Sequence, residues 1–201
     1  MKKWLFALMF AVSGLAQAAI VEGKDYLVLP KPQPVATPGK VEVIEFFSYH
    51  CVHCMHLEPV LAPWAKKLPA DVSFRREQIV WGKQMEPLAR LFATINVTKT
   101  LDKLHAPALH AMVEKKINLG DEAALRSWLA TQPGVDVKAF MQTYKSFGIN
   151  AQVARADKMT RDYAIQGTPT IVVAGKYATL AAEPARLLQV VNELIVKARG
   201  K

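Results

Sequence analysis

Residues 41–48 read Val-Glu-Val-Ile-Glu-Phe-Phe-Ser, and after two more residues the chain reaches Cys51-Val52-His53-Cys54. The odd positions of the run are Val41, Val43, Glu45 and Phe47; the even ones are Glu42, Ile44, Phe46 and Ser48. Both sets are largely apolar, so a strand here must be covered on two sides, as in the centre of an α/β sheet. Residues 54–68 then repeat with helical spacing, Leu57, Leu61, Trp64 and Leu68 forming one stripe, with a kink expected at Pro59 and Pro63. Residues 72–80 form the next strand. Strand, helix, strand is a βαβ unit, whose crossover is right-handed.

The C-terminal part supplies the rest of a sheet. Residues 170–174 and 177–180 read as strands around a Gly175-Lys176 turn, and Pro184 opens a helix with Leu187, Leu188, Val191, Leu194, Ile195 and Ala198 on one face. Near the start, 23–29 reads as a short strand. Pro30, Pro32, Pro34 and Pro38 then hold the chain extended. Between Val80 and Pro169 lie 88 residues. A crossover needs on the order of 20, which leaves ~60 over. These carry helical stripes: Leu88, Leu91, Phe92 and Ile95; Leu101, Leu104, Ala108 and Met112; Leu125, Trp128 and Leu129; Phe140, Tyr144 and Phe147. Gly120, Pro133-Gly134 and Gly148 punctuate them. The reading is an α/β domain over 19–82 and 151–201 with an all-helical domain, 83–150, inserted into it.

Residues 1–18 have the form of a secretory signal. Lys2 and Lys3 precede an apolar run too short to span a bilayer, and Ala16-Gln17-Ala18 is a small-x-small cleavage site. The mature chain is expected in the periplasm, soluble after cleavage. The full chain carries a formal charge of +9; without Lys2 and Lys3, 24 basic and 17 acidic side chains leave +7. With no block of like charges and no basic run interleaved with aromatics, nucleic acid is excluded as a partner.

Cys51 and Cys54 are the only cysteines. A bridge across four residues would restrict the unfolded chain very little, and about 183 mature residues bury enough apolar surface without one. The pair is therefore read as chemistry. Structural zinc usually takes two separated ligand pairs, and no second cysteine pair exists; covalent haem needs a His where Met55 stands. No metal and no cofactor is expected. At the mouth of a helix, Cys51 meets unpaired N–H groups and the positive end of the helix dipole, which favour the reactive thiolate. His53 can add a positive charge or a hydrogen bond. Cys54, inside the first turn, should be shielded. A stabilised thiolate favours the reduced dithiol, so the disulfide is readily given away.

Glu45 interrupts an apolar face six positions before Cys51. It reads either as a buried acid able to relay a proton to or from Cys54, or as a Glu with a Lys partner or near the strand's wet end. Thr168-Pro169 precedes a strand, and local sequence does not choose between cis and trans. His105 and His110 read as surface or helix-packing residues.

Taken together, Glu22-Gly23-Lys24-Asp25-Tyr26, Glu45-Phe46-Phe47-Ser48-Tyr49 running into Cys51-Val52-His53-Cys54, the helical insertion and Gly167-Thr168-Pro169-Thr170 resemble the thioredoxin superfamily. Within it they are most similar to the DsbA family of periplasmic thiol-disulfide oxidases, over essentially the whole mature chain. The resemblance implies a thioredoxin fold with a helical insertion and a cis Pro169. It also implies substrate peptide pairing with the Thr168 backbone, a buried acid at Glu45, and an apolar groove between the sheet domain and the insertion. An acidic nucleophilic cysteine and an oxidising disulfide are properties of that family rather than readings of the spacing. Its partners would be reduced exported polypeptides and a DsbB-like quinone-linked membrane oxidase that reoxidises the pair. Val52 stands where Pro is often found, and Thr168 where Val precedes the cis-proline in well-studied members. The expected activity is disulfide donation by a monomer through a mixed disulfide at Cys51. A periplasmic reductase or isomerase, and a non-catalytic holdase chaperone, are the alternatives.

Overall fold

The computed structural model describes residues 19–200, so the signal sequence expected over 1–18 lies outside the described residues. Five strands form one sheet in the order β1-β5-β4-β2-β3: β1 Tyr26–Val28, β2 Val41–Phe47, β3 Val72–Gln78, β4 Thr170–Val173 and β5 Tyr177–Thr179. β2 pairs in parallel with β3 and antiparallel with β4; β4, β5 and β1 continue antiparallel. β2 is central, as its two apolar faces require. Val43, Ile44, Phe46 and Phe47 have no exposed surface. Each contributes roughly 1.5–3 kcal/mol by burial.

Helices cover both faces. α1 Val52–Ala65 and α7 Pro184–Arg199 lie on one side, where Leu57, Leu61, Leu187, Val191 and Leu194 pack with Val43, Ile171 and Val173. Pro59 and Pro63 sit within α1 without ending it. On the other side, α6 Phe147–Asp162 brings Met159, and the loop after it Tyr163 and Ile165, onto Ile44, Phe46 and Val172.

The surplus segment is helical, as expected: α2 Glu86–Val97, α3 Leu101–Val113, α4 Glu122–Leu129 and α5 Val137–Tyr144, followed by α6. Asp121 and Asp136 cap α4 and α5, each accepting a backbone N–H three residues on. The insertion does not form a core of its own. Leu91, Leu104, Leu109, Leu125 and Phe140 pack into one cluster with Phe47, Tyr49, Cys54 and Met55, so it closes over the underside of the dithiol.

Some details depart from expectation. The first strand is shorter than 23–29, because residues 23–25 form a turn. Phe147, assigned to an apolar stripe, is 86% exposed, and Gly148 is inside the first turn of α6 rather than at a break. Ser146 ends the α5 segment in extended conformation, so the periodicity restarts with Phe147 facing outward. The expected domain boundary at residue 150 falls inside α6. No helix among the described residues is long and apolar enough to cross a membrane.

Candidate active site

The turn between β2 and α1 is fixed by its own hydrogen bonds. The Tyr49 N–H donates to Gln78 Oε1 at 3.0 Å, the His50 N–H to Ser48 Oγ at 3.2 Å, and the Cys51 N–H to the Ser48 carbonyl at 2.9 Å. Cys51 thereby becomes the N-cap of α1, with extended backbone, and its Sγ accepts the Cys54 N–H at 3.2 Å. This is a cap in which sulfur replaces the usual side-chain oxygen. Across the sheet end, the Thr168-Pro169 bond is cis, and the Thr168 carbonyl accepts from the Cys51 thiol at 3.2 Å.

The two sulfurs differ sharply. Cys51 is half-buried and held down to about 5; the largest cause is a hydrogen bond from the Cys54 thiol. Burial opposes the shift, while Thr168 and the backbone N–H groups of Cys54 and His53 support it. The Thr168 carbonyl contact belongs to the protonated form, and the donors belong to the thiolate. Cys54 is 1% exposed, and burial first, then the Cys51 sulfur and Glu45, push its thiol well up. His53 acts on the Cys51 thiolate through its backbone N–H; its side chain is exposed and lines the adjoining groove.

Glu45 is 1% exposed, and its carboxyl is raised to about 8, chiefly by burial. Its partner is Arg76, its direct neighbour across the β2–β3 register, rather than a Lys. Arg76 Nε lies 3.0 Å from Glu45 Oε2, an ion-pair contact whose angle leaves both atoms without a directed hydrogen bond. The same guanidinium donates through Nη2 to Glu58 Oε2 at 2.8 Å. Glu58, also raised by burial against the pull of Arg76, lies 3.7 Å from His105 Nε2. His105 is a buried packing residue, while His110 is on the surface with Glu114. Arg76, Glu58 and Tyr49 were not anticipated. Glu58 is one helical turn after Cys54, and Arg76 follows from aligning the starts of β2 and β3.

The groove beside Cys51 is not between the sheet domain and the insertion. It holds about 760 Å³ and is walled by Leu27 and Val28 of β1, the Tyr163–Thr170 loop, the β5–α7 connection and His53. The insertion packs inward on Phe47 and Cys54, which fills the boundary near the sulfurs. A cavity of about 530 Å³ does lie between α1, β3 and α3, with Glu58 and Arg76 in its wall, but neither cysteine nor Pro169 lines it. Among the described residues no three His, Cys, Asp or Glu side chains are grouped to hold a metal.

Comparison with known proteins agrees over most of the chain. Residues 42–192 match the model of the DSBA-like thioredoxin domain. The chain is 41% identical over 186 residues to a thiol:disulfide interchange protein DsbA of Burkholderia cepacia, covering 89% of this chain and 87% of the relative. It is 37% identical over 197 residues to the one of Pseudomonas syringae pv. tomato, covering 96% and 92%. Among solved structures, the oxidoreductase NmDsbA1 from N. meningitidis superposes with a TM-score of 0.85 at 38% identity, covering 92% of this chain and 96% of that one. Pseudomonas aeruginosa DsbA superposes with a TM-score of 0.83 at 36% identity, covering 89% and 94%.

Proposed function

This chain belongs to the DSBA-like thioredoxin domain family, and on that premise we propose that it is an exported oxidase giving its Cys51–Cys54 disulfide to newly secreted proteins. It is a thiol:disulfide oxidoreductase with a thioredoxin fold. The direction of exchange rests on one observation: Cys51 is half-buried at the mouth of α1, where its Sγ accepts the Cys54 N–H, whereas Cys54 is 1% exposed, so negative charge is favoured on the first sulfur and disfavoured on the second.

In the proposed cycle a substrate thiolate attacks Cys51 Sγ of the disulfide. The Cys51–Cys54 bond breaks, and its electron pair leaves on Cys54 as thiolate. Buried Cys54 disfavours that charge, so it takes a proton, for which Glu45 is the nearby carrier, protonated at neutral pH. A second substrate thiolate then attacks the substrate sulfur of the mixed disulfide and expels Cys51 as a stable thiolate. The substrate loses two electrons and the enzyme gains them. An extended peptide would pair with the Thr168 backbone next to Pro169, its apolar side chains in the adjoining groove, with His53 on the rim. Reoxidation falls to a DsbB-like quinone-linked membrane protein, and the working compartment is the periplasm.

Equilibration with glutathione at defined ratios tests the direction. The pair should stay largely reduced in buffers that oxidise ordinary protein dithiols; equilibration at thioredoxin-like ratios would make it a reductase instead. Cys51→Ala should abolish oxidation of a reduced test protein; a parent protein that oxidises no test protein yet, like Cys51→Ala, keeps an unfolded one from aggregating would instead be a holdase.

A further inference from the structure

Thr168 meets Cys51 at the end of a short loop whose backbone is tied to the rest of the molecule at one point. α6 ends at Asp162, and the N–H groups of Ala164 and Ile165 still donate back to the carbonyls of Arg161 and Thr160. Ile165 is buried in one cluster with Ile44, Phe46 and Ile79. Gln166 and Gly167, which carry the chain on to Thr168, are exposed, and a Cβ on Gly167 would meet nothing within 4 Å. The Ile165 carbonyl accepts the indole N–H of Trp81 at 2.8 Å. Among the described residues this is the only hydrogen bond that the backbone of 164–167 receives from beyond the loop, α6 and β4.

Trp81 stands three residues past Gln78, the end of β3, and Cys51 four past Phe47, the partner of Gln78 on β2. Both are therefore at the same end of the sheet. Trp81 is 51% exposed. Burial of apolar surface is thus not what an indole adds here; the N–H is, and neither Phe nor Leu carries one. The Val80 N–H donates to Thr160 Oγ1 at 2.9 Å, in the last turn of α6, which fixes the backbone that presents the indole. From Ile165 to Thr168 is three residues, at most ~11 Å of chain. Two hydrogen bonds and this short run join the end of β3 to Cys51: Trp81 to Ile165, and Cys51 to Thr168.

We propose that Trp81 is a positioning residue for polypeptide substrates: its indole N–H pins the Ile165 carbonyl and so holds the Thr168 backbone where an extended peptide is received beside Cys51. This rests on the peptide pairing proposed for Thr168. A strand joins an edge at lower cost when that edge is already ordered. Without the pin, Gln166 and Gly167 have nothing outside the loop to order them, and each arriving peptide must order it. A small dithiol with no peptide backbone makes no such demand, so Trp81 acts on peptide binding and leaves the sulfur chemistry alone.

The test compares an apolar peptide carrying two cysteines with dithiothreitol, each mixed with oxidised protein, quenched with acid and assayed for free thiols. In both reactions a substrate thiolate attacks Cys51 Sγ, the Cys51–Cys54 bond breaks onto Cys54, and the second substrate thiolate expels Cys51. Two electrons pass to the protein; of the two thiol protons one ends on Cys54 and one in the buffer, since Cys51 leaves as thiolate. In Trp81→Phe the half-saturating peptide concentration should rise roughly 3–10-fold, the factor carried by one neutral hydrogen bond. The limiting rate and the dithiothreitol rate constant should stay within about twofold of the parent. Trp81→Leu should match Trp81→Phe, because both lack the N–H. Should either variant not fold by circular dichroism, 3-benzothienylalanine at position 81 takes its place, since it keeps the bicyclic ring and lacks the N–H. Parent-like half-saturation in the folded Phe variant, an equal loss toward dithiothreitol, or a Leu variant several-fold weaker than Phe overturns the proposal, the last by giving the contact to the ring face. The same peptide with its backbone N-methylated separates the two readings. If the parent takes it as well as the plain peptide, the Thr168 pairing falls and this inference with it; if the parent prefers the plain peptide and Trp81→Phe keeps that preference in full, only the Trp81 role falls.

Discussion

At the scale of single residues, the site is a set of groups forced into unfavourable charge states by burial. Glu45 is the clearest. Its folded value near 8 lies above the ordinary carboxyl range. Below about pH 4.5 folded and unfolded chains both hold the proton, and stability is unaffected. As pH rises from there to 8, the unfolded chain releases the proton and the folded one keeps it, so stability falls; above 8 the full cost is present. Glu45→Gln removes the cost. Its urea midpoint should match the parent near pH 4.5 and exceed it at pH 8, with a gain of about 2–4 kcal/mol. An equal or lower midpoint at pH 8 would mean that Arg76 compensates the carboxylate fully. The cysteines and Glu45 were legible in the sequence because each is a polar or reactive residue in an apolar run. Arg76 and Glu58 were not, because their meaning depends on a strand register and on the face that α1 turns toward β3. Arg76 and Glu58 look like ordinary surface charges until the fold encloses them.

At the scale of elements, periodicity identified the strands and the helices that shape the site except α6, for which no stripe was read beyond Phe147, and failed where it crossed the break at Ser146. Phe140, Tyr144 and Phe147 have helical spacing, but Ser146 breaks the helix between the last two. The groove beside the Thr168–Pro169 loop was not legible for a related reason: which face of the insertion is filled is decided by packing on Phe47 and Cys54, which no single-helix pattern reports. The β1 wall of the groove depends on how the proline-rich connector is docked. The Gln33 N–H donates to the Gly175 carbonyl at 2.8 Å, the Leu29 N–H to that of Lys176 at 2.7 Å, and the Gln33 side chain to that of Asp162 at 2.9 Å. Gly175 sits at φ +62, and a Cβ there would lie 2.2 Å from the Gln33 carbonyl oxygen. Gly175→Ala therefore combines a left-handed backbone with a clash against main chain, and should cost about 2–4 kcal/mol. It should weaken binding of a cysteine-free apolar peptide, followed by fluorescence, while Cys51 alkylation keeps its pH midpoint. Unchanged peptide affinity would show that the connector does not hold the groove wall.

At the scale of the whole molecule, redox state and stability are linked through Cys51. The thiolate stabilises the reduced protein; that contribution is complete above the unfolded thiol value near 9 and is lost as pH falls through about 5. With allowance for solvent screening at a half-buried sulfur, it is on the order of 2–3 kcal/mol at neutral pH. Reduced protein should unfold at a higher urea concentration than oxidised protein at pH 7, and the gap should close toward pH 4. A more stable oxidised form at pH 7 would reverse the proposed direction of electron flow.

α6 belongs to both parts of the molecule. Ile149 and Val153 pack against α2, Met159 packs on the sheet, and five residues after its end the chain reaches Gly167 and Thr168. A helix turns about 100° per residue. One residue added or lost between Val153 and Met159 would therefore rotate one packed end away from its partner and carry the Thr168 loop off Cys51. The α4–α5 connection has no such phase to keep. Length variation among descendants of this gene should accordingly collect between α4 and α5, while the count from Ile149 to Thr168 stays fixed.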